Sequence, residues 1–360
     1  MKKVLWLAPN INHYKVRFLN HLAKVEGISL TLLSGTGRQG MGDQEIGGQY
    51  YFKHIQLPVN KQNFGKNGKV RKQLKKCFNN YNWVLIPAEK KNIPLLLYAM
   101  RLRKQNNCVR LFSYNHHLIK PKRRKIHRID VLLTKIFFKQ LDRVIFYTQE
   151  SYNWAITNRI IEKNKAGWAN NTIDTIEVDK NYNFELPPID TITIVFIGRL
   201  IPSKRIGVLI DFFNEISEKR NNKFMLEIIG DGPDSFLVKK AMKHNPKIIW
   251  HRTIVEEIRI APIMTRASLV FIPGASGLSI NHAFAYGRPY ATLKSNRHGP
   301  EISYLIDGEN GYIIDNDLNK IKTFLKDRKK VEEFCFNALK KSKGLSVLDW
   351  TKQIITALND

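Results

Sequence analysis

The residues best suited to chemistry lie in four short stretches beyond residue 190. Ile192 to Lys204 reads ITIVFIGRLIPSK, an apolar strand that empties into Gly198-Arg199-Leu200 and reaches Lys204 at the start of a helix. Backbone amides, a helix N-terminus and two cations can converge there on a phosphate. An Arg and a Lys on a solvated strand end would look the same if taken alone. The next strand ends Ile228-Ile229-Gly230-Asp231-Gly232-Pro233, a tight turn through which a backbone could approach a flat ring. Leu269 to Pro289 reads LVFIPGASGLSINHAFAYGRP, a buried strand, a Gly-rich loop and a helix opening near Ser279, with the amides of Gly277, Leu278 and Ser279 placed to meet an anion. Asn296 to Gly311 reads NRHGPEISYLIDGENG, where Glu301 follows another short turn. Two stretches of the first half also carry candidate groups. Pro9-Asn10-Ile11-Asn12-His13-Tyr14-Lys15 follows the first strand, and Ser113-Tyr114-Asn115-His116-His117 ends another.

Short apolar strand patterns alternate with amphipathic helical ones throughout, which is the signature of parallel sheets wound by helices. The patterns predict strands at Val4 to Leu7, Ser29 to Leu33, Trp83 to Ile86, Val109 to Ser113 and Arg143 to Tyr147. A second set follows Leu186-Pro187-Pro188, at Ile192 to Ile197, Phe224 to Ile229, Lys247 to Trp250, Leu269 to Ile272 and Tyr290 to Leu293. The expected fold class is α/β, two Rossmann-like domains with a ligand cleft between them, outside the carboxyl ends of the strands. The expected boundaries are residues 1–186, 187–344 and a C-terminal helix over 345–360. Residues 36 to 72, rich in Gly, Asn, Gln and Lys with little periodicity, suggest long mobile loops on the cleft side.

A length of 360 residues suits two domains, and 43% hydrophobic with 25% charged residues excludes general disorder. The longest apolar run, Ile93 to Met100, contains Pro94 and falls far short of the roughly 20 residues of a membrane span. Lys2 and Lys3 precede an apolar stretch that Pro9 to His13 interrupts before a signal-peptide core can form, so a cytoplasmic location is expected. Cys77, Cys108 and Cys335 are odd in number and widely spaced, which encodes neither a disulfide framework nor a zinc site. The formal net charge of +28 is unevenly distributed: residues 1 to 150 hold 29 basic and 7 acidic side chains, the rest 30 and 24. Two clusters stand out, Lys66 to Lys76 and Lys120 to Arg128, with Lys122, Arg123, Arg124 and Lys125 the densest part. This half faces something anionic unless it is merely a solubilising surface. Five or six cations near an acidic leaflet, at about 1 kcal/mol each, suffice for reversible membrane association. No nucleic-acid motif or stacking platform accompanies the charge, so nucleic acid ranks last among partners.

The order of the four stretches over about residues 190 to 315 resembles the donor domain of glycosyltransferase family 4, retaining enzymes of the GT-B fold. The resemblance implies that Arg199 and Lys204 hold the donor diphosphate. The family's E-G-F-G-L-P-x-x-E-A-x-A-x-G-x-P falls on Gly274 to Pro289, where the glycines and Ala-x-Ala-x-Gly-x-Pro fit but both glutamates are replaced, by Gly274 and His282. It implies donor contacts by Gly198, Gly230, Asp231, Gly277, Leu278, Ser279, His282 and Glu301, with His282 bonding a ribose hydroxyl or else packed in the interior. In the first half it implies a loop over the sugar at Asn12 and His13, a catalytic histidine at His116 or His117, with His116 the favoured one, and an interdomain segment at Trp168 to Asp174. It also implies a last helix, with Trp350, that returns to the first domain.

A nucleotide-diphosphate sugar is then the donor substrate, and no cofactor or metal is expected, because cations and a helix N-terminus stabilise the leaving diphosphate. Asp315-Asn316-Asp317 is expected to cap a helix rather than hold a metal. The implied reaction is metal-independent sugar transfer to a lipid-linked or membrane-borne glycan, as in bacterial polysaccharide assembly, peripheral at the inner face of the membrane. A catalytically impaired GT-B binding subunit and a nucleotide-sugar epimerase are the alternatives.

Overall fold

The computed structural model describes residues 1–11, 13–36, 49–118, 128–218, 223–315 and 317–359, with the His13 side chain excepted. It forms two compact units, Met1–Asn171 with Val347–Asp360, and Thr172–Ser346. The first holds strands β1 (Lys2–Ala8), β2 (Ile28–Thr36), β3 (Lys53–Asn60), β4 (Trp83–Leu85), β5 (Arg110–Asn115), β6 (Arg143–Phe146) and β7 (Ala166–Trp168) in the order β3-β2-β1-β4-β5-β6-β7. The second holds β8 (Ile192–Ile197), β9 (Phe224–Ile229), β10 (Ile248–Trp250), β11 (Ala267–Phe271), β12 (Tyr290–Leu293) and β13 (Gly311–Ile314) in the order β10-β9-β8-β11-β12-β13. Every strand pair is parallel.

Helices cover both faces of such sheets, so the central strands are continuous apolar runs. Val4, Leu5, Leu7, Val195 and Phe196 are buried for this reason. A polar side chain in so dry a layer needs partners. Glu227 of β9 accepts from Arg266 Nε and Nη2 at 3.0 and 2.9 Å and lies 2.7 Å from His251 Nε2. In the second sheet the winding reverses at β8 and β11, which pair directly. At such a switch point the loops leave their strands in opposite directions and open a crevice at the carboxyl ends. The turns after β8 and β11 border it.

Three strands escaped the sequence patterns. β3 occupies part of the stretch expected to be long loops, pairing with β2 from Thr31 opposite Lys53. As an edge strand it keeps polar residues and Pro58, which hides its periodicity. Residues 37–48 of that stretch lie outside the described residues, and its end is helical rather than loop, forming the 3-10 turn Phe64–Lys66 and the start of the helix Gly68–Cys77. β7 and β13 are sheet edges too short to show a period. The division of the chain also differs from the expected one. It falls at Asn171/Thr172 rather than at Leu186-Pro187-Pro188. The segment before the prolines belongs to the second unit because Tyr182 Oη donates to Tyr286 O at 3.1 Å and Arg288 Nη2 donates to Tyr182 Oη at 2.7 Å and to Glu185 O at 2.5 Å. At the other end the helix Val347–Asn359 lies in the first unit, where Trp350 is fully buried, packs at a tilt with its ring centroid 4.5 Å from that of Phe18 and donates Nε1–H to Tyr114 Oη at 3.0 Å.

Candidate functional site

The crevice of the second unit is built from three turns that touch one another. β8 ends at Gly198, whose N–H donates to Ile229 O at 2.9 Å, and Leu200 N–H donates to Asp231 O at 2.9 Å. These bonds zip the Gly198 turn to the Gly230 turn so tightly that a Cβ on Gly230, at φ +134°, would stand 1.9 Å from Gly198 O. Only glycine fits there. Asp231 serves this turn, since its Oδ1 accepts from Gly232 N–H at 2.7 Å and its Oδ2 lies 3.7 Å from Arg252 Nη1. Beyond Leu200 the chain makes a 3-10 turn, Pro202–Lys204, and Arg205 in the left-handed region starts the helix Ile206–Ser217. The turn folds Lys204 back over Gly198, with Nζ 3.9 Å from where a Gly198 Cβ would be.

The loop after β11 seals onto the same turn. Ala275 N–H donates to Ser203 O at 2.7 Å, and a Cβ on Gly274 would meet Ser203 O at 2.1 Å. Position 274 therefore has no room for a side chain, which explains locally why no glutamate stands there. The loop is clamped from its other side by His298: Nδ1 accepts from Ser276 N–H at 3.0 Å while Nε2–H donates to Leu293 O at 2.9 Å. Because a carbonyl can only accept, this fixes the tautomer. Burial lowers its pKa below the usual value, the hydrogen bond to Leu293 O opposes this, and the Lys204 charge lowers it further. Ser276 Oγ, Tyr290 Oη, Ser279 Oγ and Thr292 Oγ1 form a hydroxyl chain behind the loop, with links of 2.8 to 3.1 Å. The helix Leu278–Ala285 starts from this anchored loop at Gly277. Gly277, Leu278 and Ser279 remain partly accessible, and the first-turn amides of a helix have no carbonyl partner within it.

Glu301 completes the group. It is 4% exposed on the 3-10 turn Pro300–Tyr304, and its Oε2 lies 3.5 Å from where a Gly277 Cβ would be. Lys204 senses both neighbours. Burial lowers its pKa first, the Arg199 charge lowers it further and the Glu301 carboxylate raises it, leaving it at about 8. Arg199, Lys204, the opening turn of the helix at Gly277 and the buried Glu301 thus share one pocket edge. Two cations and a row of amides can take a diphosphate, and a carboxylate beside them can accept from hydroxyls.

Not every residue singled out from the sequence reaches this group. His282 is 2% exposed, and its Nε2 is 3.0 Å from Oε2 of Glu257, which also accepts from Tyr286 Oη at 2.8 Å. One imidazole nitrogen is therefore held by a buried carboxylate, as in the interior packing that was the alternative to a ribose contact. The N-cap of the helix Asn319–Lys326 is Leu318 rather than an aspartate, although Asp317, one residue before it, accepts from Asn319 N–H through Oδ1 at 2.9 Å, while Asp315 pairs with Lys294 at 3.1 Å. In the first unit His116 packs its ring 4.9 Å from Tyr147, and His117 packs 4.7 Å from Trp154, with burial lowering the His117 pKa. Asn12 and the cluster Lys122, Arg123, Arg124 and Lys125 lie outside the described residues, as does the side chain of His13, whose backbone opens the helix His13–Ala23. Sequence reading missed His298, Ser276 and Glu257. His298-Gly299-Pro300-Glu301 was visible as a string, but only the fold shows that the histidine clamps a loop some 20 residues earlier.

Residues 191–327, which contain this whole group, match the family described as Glycosyl transferases group 1. No curated protein matches the chain. Among solved structures, HepE from Anabaena in complex with UDP superposes with a TM-score of 0.69 at 15% identity, covering 100% of both chains. Sucrose-phosphate synthase from Thermosynechococcus elongatus superposes at 0.71 with 14% identity over 100% of this chain and 98% of its own. The lipopolysaccharide outer core galactosyltransferase WaaB, in apo form, superposes at 0.64 with 13% identity over 99% of each. At such identities the likeness is one of fold: both units have the GT-B architecture, with seven and six parallel strands.

Proposed function

We propose that the protein is a retaining, metal-independent glycosyltransferase that moves a sugar from a nucleotide-diphosphate donor to a lipid-linked or membrane-borne glycan acceptor in cell-surface polysaccharide assembly. The observation that carries the reading is the meeting of Arg199, Lys204, the Gly277 helix start and Glu301 at the switch point of the second sheet. The family match over these residues supports it, as does HepE, a protein of this fold, in complex with UDP and with UDP-glucose. In this reading the bond from the anomeric carbon to the diphosphate oxygen breaks, and its electrons go to that oxygen. Arg199, Lys204 and the helix amides hold the new charge in place. The acceptor oxygen attacks from the same face, and its proton passes to the departing phosphate, so no protein nucleophile is required. Glu301, beside the amides, accepts from donor sugar hydroxyls, the service that Gly274 cannot give. The basic first unit meets the acceptor at the inner face of the membrane.

A catalytically impaired binding subunit is the second reading, favoured by the filled space at Gly274 and by the His282–Glu257 pair. Thermal shift with UDP, GDP and ADP tests the donor site, since a ligand at 100 times its dissociation constant stabilises by about 2.7 kcal/mol. Hydrolysis of the corresponding nucleotide sugars then separates the two readings. A shift with slow donor hydrolysis identifies an enzyme, a shift without hydrolysis identifies the binding subunit, and no shift with any nucleotide rejects both.

A further inference from the structure

The helix Arg128–Lys139, which crosses from β5 to β6, turns a row of large apolar side chains outward. Ile129 is 68% exposed, Leu132 57% and Ile136 52%. Spaced i, i+3 and i+7, they stand on one face of the helix. The helix is not loosely attached: Asp130, Thr134, Phe137 and Phe138 on the opposite face are buried, and Lys90 Nζ bonds Asp130. A packed inner face fixes which side looks out, so the outward row is a settled feature of the fold. Cations flank it. Arg128 and Lys139 are exposed and Lys135 partly so, and by helical geometry all three border the apolar row. The helix has a single acidic residue, Asp130, which is buried, so it presents no anion outward. The preceding crossover, Ile93–Gln105 between β4 and β5, adds Leu97 at 58% exposure and exposed Arg101. Right-handed crossovers between neighbouring parallel strands lie on the same side of the sheet, so both helices cover the same face of the first sheet.

We infer that this face, Ile129, Leu132 and Ile136 with Leu97, rimmed by Arg128, Lys135, Lys139 and Arg101, seats the first unit on an anionic lipid surface. Apolar side chains beside cations are what an interfacial helix needs: the former enter the headgroup boundary and the latter meet lipid phosphates. A second copy of the chain is a poor occupant, because it would bring the same cations against these. A nucleic acid would leave the apolar row in water. The inference deepens the membrane-borne acceptor proposed above, yet its test needs no turnover, so the two can fail separately.

The experiment is flotation with vesicles of phosphatidylcholine alone or with phosphatidylglycerol, at low and high salt. Two variants accompany the wild type, Ile129→Ser/Leu132→Ser/Ile136→Ser and Lys135→Ser/Lys139→Ser. Unchanged melting and UDP-induced shifts confirm that fold and donor site are intact in both. The wild type should float with anionic vesicles and less at high salt. Removing two cations should weaken binding about fivefold per charge, and removing the apolar row by about tenfold or more. Equal binding to neutral vesicles, no binding at all, or wild-type binding by the apolar variant overturns the inference. So does concentration-dependent dimerisation of the wild type that the apolar variant abolishes, since the row would then belong to a second copy.

Discussion

Raising the pH should discharge Lys204 and loosen a bound nucleoside diphosphate. Burial and the Arg199 charge hold this ammonium's pKa near 8 against an ordinary 10.5, with Glu301 opposing them. His298 also faces it, and burial moves its pKa down from the ordinary 6.5, away from this window. With a pKa of about 8, some nine-tenths of Lys204 is charged at about pH 7 and about one-tenth at about pH 9. If the diphosphate binds the ammonium form, UDP affinity falls about tenfold across that interval, or about 1.4 kcal/mol. Stability of the free protein moves the other way. The native pKa lies below the unfolded one, so the unfolded chain binds more protons between about pH 8 and 10.5 and stability rises with pH there. Lys204→Arg should remove both dependences, because a guanidinium stays charged throughout. Calorimetric titration of UDP into both proteins at the two pH values reads the first effect, and melting without ligand reads the second. An equal fall in Lys204→Arg, or pH-independent affinity in the wild type, would refute the assignment of Lys204 to the diphosphate.

Arg199→Ala should cut turnover by about ten- to a hundred-and-fifty-fold, the value of one charge-assisted contact of roughly 1.5 to 3 kcal/mol, with unchanged melting; wild-type kinetics would move the phosphate elsewhere. Glu301→Gln removes the anion that raises the Lys204 pKa, so its UDP affinity should begin to fall at lower pH than in the wild type, and an unshifted profile would separate the two groups. His282→Glu would set a second carboxylate against Glu257, now 3.0 Å from His282 Nε2, and should cost about 3 to 5 kcal/mol of stability by melting. A melting curve equal to the wild type's would show that the pair relaxes freely.

What the sequence by itself determined are features that local pattern encodes. Continuous apolar runs such as Ile192 to Ile197 mark parallel strands buried on both faces, because a run so short and so rich in β-branched residues suits a strand covered by helices better than a buried helix. The Gly198-Arg199 and Gly277-Leu278-Ser279 strings mark strand-to-helix turns, since glycine and a helix start are what such turns demand. Edge strands were less legible: β3 carries polar residues and a proline, and β7 and β13 are too short to show a period. Tertiary structure alone decided how distant residues share space. It placed Ser203 O where a Gly274 side chain would be, brought Glu301 to the helix start at Gly277, and gave His282 a buried partner in Glu257. It also turned Ile129, Leu132 and Ile136 outward, although the same residue types fill the core elsewhere. A helix sequence names an apolar stripe, but which stripe is covered depends on the sheet it packs against, and that is settled only when the strands between have paired.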